Sequence, residues 1–172
     1  MTPDPYAGPL RLSGHGVILR EWTDADLPVM TELFDDPEVA AYTNVPAPFV
    51  AEEYLATIRR VRAEDNRLHL AVTTDGETPL GLGFFAPARR EIGYIVGRAH
   101  RGRGLAARTT RLLTDWGHTV AGIAELKLCI VTENLPSQGV AKAAGYTLSP
   151  EEPKRLEADG RVLHLATWTH TA

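Results

Sequence analysis

The residues best placed to do chemistry lie in one basic, glycine-rich loop. Arg101-Gly102-Arg103-Gly104 follows the apolar run Ile92 to Val96 and precedes a long helical pattern that begins at Leu105. A helix start leaves backbone N–H groups unpaired and carries the positive end of the helix dipole. Glycines let an anion approach those donors without obstruction by a Cβ. Gly102 and Gly104, with the amides of Leu105 and Ala106 behind them and Arg101 and Arg103 beside them, are suited to hold a pyrophosphate. Arginines crowd the same stretch, at Arg89, Arg90, Arg98, Arg101, Arg103, Arg108 and Arg111, in a chain whose formal net charge is −4. That uneven placement points to a small polyanionic ligand, with a solvated basic face as the plain alternative.

Other reactive residue types offer less. Cys129 is the single cysteine, so it cannot form an intramolecular disulfide, and Leu126-Lys127-Leu128-Cys129-Ile130-Val131 gives it the setting of a buried core thiol. His15, His69, His118, His164 and His170 show no zinc-ligand spacing, so no metal is expected. His100 precedes the basic loop, where it meets either phosphate or water. The acidic balance gives no sequence-wide basic footprint and argues against a nucleic-acid partner. No apolar run approaches the length of a membrane span.

The elements that must position the loop can be read from periodicity. At 172 residues, 44% apolar and 23% charged, the chain fits one soluble domain. Residues 1–9 lack the basic start and apolar centre of a signal peptide and read as a flexible leader, with a cytoplasmic protein expected. The domain then covers residues 10–172. A first strand runs from Leu10 to Leu12 and resumes from Val17 to Glu21 after an interruption at Gly14 and Gly16. Leu27, Met30, Leu33 and Phe34 repeat at helical spacing between the capping residues near Asp24 and the stop at Asp35-Asp36-Pro37. A second helix covers Ala51 to Ala63, with Tyr54, Leu55, Ile58 and Val61 on one face.

Strands follow at Leu68 to Thr73 and Leu80 to Phe85, joined by a turn with Asp75-Gly76, and then at Glu91 to Val96. Beyond the loop come a helix from Leu105 to about Val120, a strand from Glu125 to Val131 and a short helix from Pro136 to Ala144. Tyr146 to Ser149 and Val162 to Trp168 close the chain as a terminal hairpin or antiparallel pair. This order predicts an α/β (α+β) fold with about seven strands and about four helices.

A second motif lies one helix and one strand beyond the loop, at Asn134-Leu135-Pro136-Ser137, leading to Val140 and Gly145-Tyr146. Together the two motifs make the chain resemble the GNAT superfamily of acyl-CoA N-acyltransferases, and its RimJ/RimL-type branch in particular. Arg101-x-x-Gly104-x-Ala106 matches the family's Gln/Arg-x-x-Gly-x-Gly/Ala loop, and Glu91-Ile92-Gly93-Tyr94 matches the strand before it. Asn134-x-x-Ser137-x-x-Val140 with Gly145-Tyr146 matches the next block, and Val162 to Trp168 fits the final strand. Two departures stand out: Gln138-Gly139 replaces a basic pair, and Lys142 stands one place before the family's lysine position, here Ala143. Gly139 inside the short helix costs about 1 kcal/mol against alanine, so tertiary packing must hold that helix.

The resemblance implies a mixed, mostly antiparallel sheet whose two central strands splay apart in a V, and acetyl-CoA as acyl donor. The amides of Arg101, Gly102, Arg103, Gly104, Leu105 and Ala106 would hold the pyrophosphate, and backbone groups near Ile95 and Val96 would pair with the pantetheine arm. An amine is mostly protonated at neutral pH, so acylation needs a base and a proton source for the departing thiolate. Glu91, on the strand face shared with Gly93 and Ile95, is the candidate base; a surface glutamate paired with Arg89 or Arg90 is the plain alternative. Ser137 is the candidate for protonating or orienting the thiolate, with Asn134 positioning pantetheine or water; both residues also suit helix capping. Tyr94 reads as core or slot lining. Arg108 and Arg111, at helical spacing, are placed so that one reaches phosphate while the other faces solvent.

The expected activity is transfer of an acetyl group to a primary amine, on a peptide N-terminus or a small molecule, by direct attack on the thioester. Acceptor contacts would come from Trp22, Tyr42, Asn44, Phe84, Phe85 and the closing hairpin, with Asp35, Asp36, Glu38, Glu151 and Glu152 able to attract a cation. The family also suggests a homodimer. A noncatalytic acyl-CoA-binding or sensor module is the alternative of a different class. An unrelated nucleotide-phosphate fold is disfavoured by the absence of a Gly-x-x-x-x-Gly-Lys-Ser/Thr loop.

Overall fold

The computed structural model describes residues 1–172. A single sheet runs in the order β1 (Arg11–Gly14), β2 (Val17–Arg20), β3 (Leu68–Thr73), β4 (Gly81–Ala86), β5 (Glu91–Val96), β6 (Glu125–Val131), β9 (Arg161–Thr171). The far edge of β9 pairs with β7 (Thr147–Leu148) at one end and β8 (Lys154–Ala158) at the other. All neighbours are antiparallel except β5 and β6. Their parallel pairing follows from the crossover helix α4 (Leu105–Thr119) that joins them.

The sheet has two apolar faces, as required of a layer packed on both sides. On one face α4 and α5 (Leu135–Ala143) cover Leu19, Leu70, Phe85, Ile92, Leu126 and Leu128. The other face carries α1 (Leu27–Phe34), α2 (Pro37–Tyr42) and α3 (Ala51–Asp65), which bury Trp22, Met30, Phe34, Leu55 and Leu82. Leu113 of α4 has no exposed surface, and truncating such a residue to alanine costs about 2–5 kcal/mol. None of the second core comes from β6 or β9; on this half of the face Val131, Leu163 and Thr167 are buried, and Lys127, Cys129 and Leu165 are half-buried.

The splayed V arises at the parallel pair. β5 and β6 are in register only at Glu91↔Lys127 and Ile92↔Leu128, while β5 stays paired with β4 along its whole length. The Arg90 carbonyl accepts from the Lys127 N–H at 2.8 Å, so by alternation the backbone groups of Ile92, Tyr94 and Val96 face β6. Beyond Ile92 no β6 residue pairs with them. Ile95 lies in the opposite phase, its carbonyl directed at Gly81 of β4.

Counts of elements exceed the sequence-based ones for local reasons. The first strand is a hairpin, because His15 and Gly16 both take left-handed φ (51° and 74°) in a two-residue loop that pairs Gly14 with Val17. Asp36 caps α2 by accepting from the Glu38 N–H at 2.8 Å, with Pro37 at the first helical position, so the segment expected to end one helix also begins another. Lys154–Ala158 is a charged edge strand without apolar alternation. The leader expected to be flexible is held at Tyr6, whose ring lies 5.6 Å from that of Trp116. Arg62 donates to the Tyr6 carbonyl at 2.7 Å and the Gly8 carbonyl at 3.0 Å. No helix is long and apolar enough to cross a membrane.

Candidate active site

The glycine loop leaves β5 at Gly97, whose N–H donates to the Leu80 carbonyl at 2.9 Å, and ends at Gly104, the residue before α4. Gly102 and Gly104 both adopt left-handed φ, 78° and 72°. A Cβ at Gly102 would meet nothing within 4 Å, and one at Gly104 only the Arg108 Nε at 4.0 Å. These glycines therefore serve backbone conformation and an open approach rather than internal packing. No protein acceptor satisfies the backbone N–H groups from Arg101 to Ala107, and no side chain caps α4. The loop is a row of free donors at a helix dipole's positive end.

The arginines divide into two kinds. Arg108 donates to the Gly16 carbonyl and the Arg103 carbonyl, both at 3.1 Å, and so ties the loop to the first hairpin. Arg111 donates to the Ala143 carbonyl at 2.8 Å, at the end of α5. Both are structural links in this arrangement. Arg101 crosses the mouth of the V: its Nε donates to the Val96 carbonyl at 3.2 Å, and its guanidinium meets Asp36 at 3.3 Å and the carboxylate of Glu38. Asp36 keeps only 7% of its side chain exposed beneath that guanidinium. Arg103 is exposed, with its Nη1 3.4 Å from the His100 Nδ1.

Glu91 stands at the closed end of the V, on the cleft face. Its side chain is 24% exposed, and its Oε2 lies 3.4 Å from the Arg89 Nε. Burial pushes its carboxyl above the usual range, and Arg89, Lys154 and Lys127 draw it only partly back. Such a group is a stronger base than an ordinary surface glutamate. Cys129 shares this face and is half-buried rather than part of the core; its thiol is pushed up first by burial and then by the Glu91 charge.

The hydroxyl pair lies on the other face. Tyr94 projects toward the α4–α5 layer, and its hydroxyl is 2.5 Å from the Ser137 Oγ. Burial raises the Tyr94 phenol, with the Ser137 bond opposing it. Asn134 caps α5 by accepting from the Ser137 N–H at 3.3 Å, which sets that serine on the inward turn of the helix. Lys142, one place before the family's lysine position, sits over the Trp168 ring at 6.0 Å.

The loop, Glu91 and the Tyr94–Ser137 pair thus surround one opening in the sheet, from its end, from one face and from the other. Of the expected acceptor contacts, Trp22 and Phe85 are core residues at 6% and 0% exposure, Phe85 on the α4 side. Phe84 does reach the cleft face, under Arg89 at 5.6 Å. A cavity of about 170 Å³ lined by Phe34, Asp36, Ala40, Val45 and Phe49 lies under α2, with Glu91 outside it. The Tyr94–Ser137 contact has no local sequence signal beyond the spacing of two motifs.

A sequence model of the acetyltransferase (GNAT) domain matches residues 17–147. The chain belongs to the GNAT acetyltransferase family. This acetyltransferase is 31% identical over 129 residues to an uncharacterized N-acetyltransferase, p20, of Bacillus licheniformis, covering 69% of the chain and 72% of that relative. Over 150 residues it is 27% identical to the spermidine N(1)-acetyltransferase of Escherichia coli, covering 81% of the chain and 77% of that enzyme. Its fold matches that of RimL, the ribosomal L7/L12 alpha-N-protein acetyltransferase solved with coenzyme A. The TM-score is 0.79 at 13% identity, covering 94% and 98% of the two chains. The acetyltransferase shares with RimL the mostly antiparallel sheet and its layers of helices.

Proposed function

We propose that this protein transfers the acetyl group of acetyl-CoA to a primary amine by direct attack on the thioester. The observation that carries the reading is the disposition of Glu91 and of the Tyr94–Ser137 pair on opposite faces of the sheet at the single gap between β5 and β6. When bound, the donor supplies an activated carbonyl and a thiolate leaving group. The amides from Arg101 to Ala106 bind its diphosphate, and Arg101 and Arg103 add charge at the exposed rim. The backbone edge of Tyr94 and the Val96 N–H pair with the amide-bearing arm, the Val96 carbonyl being held by the Arg101 Nε, and Ile95 lines the slot.

The residue roles follow from position. Glu91 takes a proton from the ammonium of the acceptor, directly or through a water, and releases the nucleophilic lone pair. The nitrogen forms its bond to the carbonyl carbon, the carbon–sulfur bond breaks, and the second proton of the nitrogen passes to water, leaving the neutral amide. Ser137, hydrogen-bonded to Tyr94, gives or directs a proton to the departing sulfur on the far face. Asn134 holds Ser137 in place through the α5 cap. Arg101 contributes its backbone N–H to the loop while its guanidinium stays on Asp36 and Glu38, which ties the donor loop to the α2 wall of the cleft.

The test combines free-thiol release from acetyl-CoA over a panel of peptide and small-molecule amines with calorimetric coenzyme A binding. Amine-dependent thiol release above hydrolysis supports acyl transfer. Binding with no release by any amine supports instead the noncatalytic module.

A further inference from the structure

The charge on the β6–β9 half of the cleft face constrains the acceptor. Register places Glu91, Lys127 and Thr169 in one row across β5, β6 and β9, with Cys129 and Thr167 in the next and Val131, Leu165 and Lys154 beyond them. All these side chains share one face of the sheet. Its two carboxylates are already paired: Glu91 with Arg89 at 3.4 Å and Glu125 with Arg90 at 3.7 Å. Lys127 and Lys154 have no ion-pair partner, and Glu151 and Glu152, just before Lys154, make none with it. Lys154 is exposed on the edge strand β8, on the same face as Lys127 and across β9 from Val131.

On the opposite wall only Asp35, beside the α2 cavity, is a carboxylate without an ion-pair partner among Asp35, Asp36 and Glu38. Asp36 and Glu38 of α2, the acidic residues best placed to receive a cation, are engaged by Arg101. At the outer end of the same face Arg161 reaches the Thr43 carbonyl at 3.5 Å and lies 3.8 Å from the Asp159 carboxylate, and its Nη1 is buried without a hydrogen-bond partner. A buried guanidinium N–H without an acceptor is costly and favours an incoming anion. A second ammonium on the acceptor would instead face Lys127 and Lys154 across a partly dehydrated cleft.

Resting on the acyl-transfer reading above, we propose that the acceptor is an amine that also carries a carboxylate or phosphate a few bonds from its nitrogen. Glu91 receives the amine, and Lys154, with Lys127 beside it, receives the anionic end. Polyamines are poor acceptors for this protein, in contrast to what the name of its Escherichia coli relative says of that enzyme.

Matched acceptors test the assignment: alanine against alaninamide, phosphoethanolamine against ethanolamine, and spermidine, each with acetyl-CoA at equal free-amine concentration. The anionic member of at least one pair should show a kcat/KM about tenfold higher, the size of one unit-charge contact over about 6 Å in such a cleft. The pair that responds separates carboxylate from phosphate recognition. Lys154→Glu should lower kcat/KM for the anionic acceptors and raise it for spermidine, inverting the order. Arg155→Glu, on the other face of the same edge strand, should leave the order unchanged. Equal or better use of the neutral partners and spermidine, with an order unmoved in Lys154→Glu, would overturn the inference while leaving acyl transfer intact. Absence of transfer to every amine, with coenzyme A still bound, would overturn acyl transfer and this inference together.

Discussion

The two sides of the gap are built from different materials. The proposed donor side is backbone: free N–H groups from Arg101 to Ala107 and a strand edge beyond Ile92 that no β6 residue pairs with, all within one stretch of chain. The proposed acceptor side is side chains, drawn from β5, β6, β8, β9 and α2, whose residues run from Asp36 to Thr169. Backbone recognition tolerates almost any side chain that permits the right φ, so a diphosphate site can persist while sequences change. Side-chain recognition depends on charge and reach, so the same frame accepts different amines.

Substitutions at the gap can break or sharpen that contrast. Glu91→Gln should have the largest effect, a fall in kcat of about 10²–10⁴-fold with coenzyme A affinity nearly unchanged, read by steady-state kinetics and calorimetry. The acid limb of the wild-type rate profile should lie above the ordinary carboxylate range and disappear in the variant. Gly104→Val should do the reverse. Its φ of 72° is strained for a β-branched residue, so the loop shifts and coenzyme A binding weakens by about tenfold or more in a protein that remains folded by circular dichroism. Undiminished affinity there would detach the diphosphate from the loop.

Smaller effects belong to the hydroxyl pair and to stability. Ser137→Ala and Tyr94→Phe should each lower kcat about tenfold, and the double variant should lose less than the product, because one hydrogen bond joins the two hydroxyls. Full multiplicativity would show that they act independently. Glu91→Gln should also raise the melting temperature slightly at neutral pH. The folded pKa of Glu91 is raised, so the stability it contributes is present below its unfolded value and lost as pH rises through the folded one.

His69 has the opposite sign. Packed on Phe84 at 4.9 Å, with its Nδ1 unpartnered, it is pushed down to about 4 by burial first and then by Arg67 and Arg89. It is neutral at assay pH, and its stability contribution should be lost as pH falls from about 6.5 toward 4, by up to roughly 3 kcal/mol. His69→Phe should flatten that acid limb in thermal melts; an unchanged limb would assign it to another group.

The contrast between the two sides also governs what was legible in the chain. β3, β5 and β6 begin and end where alternation and apolar runs place them, because each is a buried central strand bounded by turn residues. The donor loop is legible for the same reason: its chemistry is local. The first hairpin, α2 and β8 were hidden by, respectively, a turn read as an interruption, a helix of six residues, and a charged edge. Long-range pairings carry no such trace. Tyr94 meets Ser137, Arg101 meets Asp36, and Lys154 comes onto the face of Glu91 only after the strands are ordered across the sheet.

The most direct test of the account is the pH dependence of acetyl transfer by wild type and Glu91→Gln, with coenzyme A affinity measured on the same samples. A base at the gap predicts a wild-type rate that rises through an ionisation above the ordinary carboxylate range, a variant slowed by at least about a hundredfold without that ionisation, and equal coenzyme A affinity. A variant that turns over at the wild-type rate with the same profile would contradict it and remove Glu91 from the chemistry.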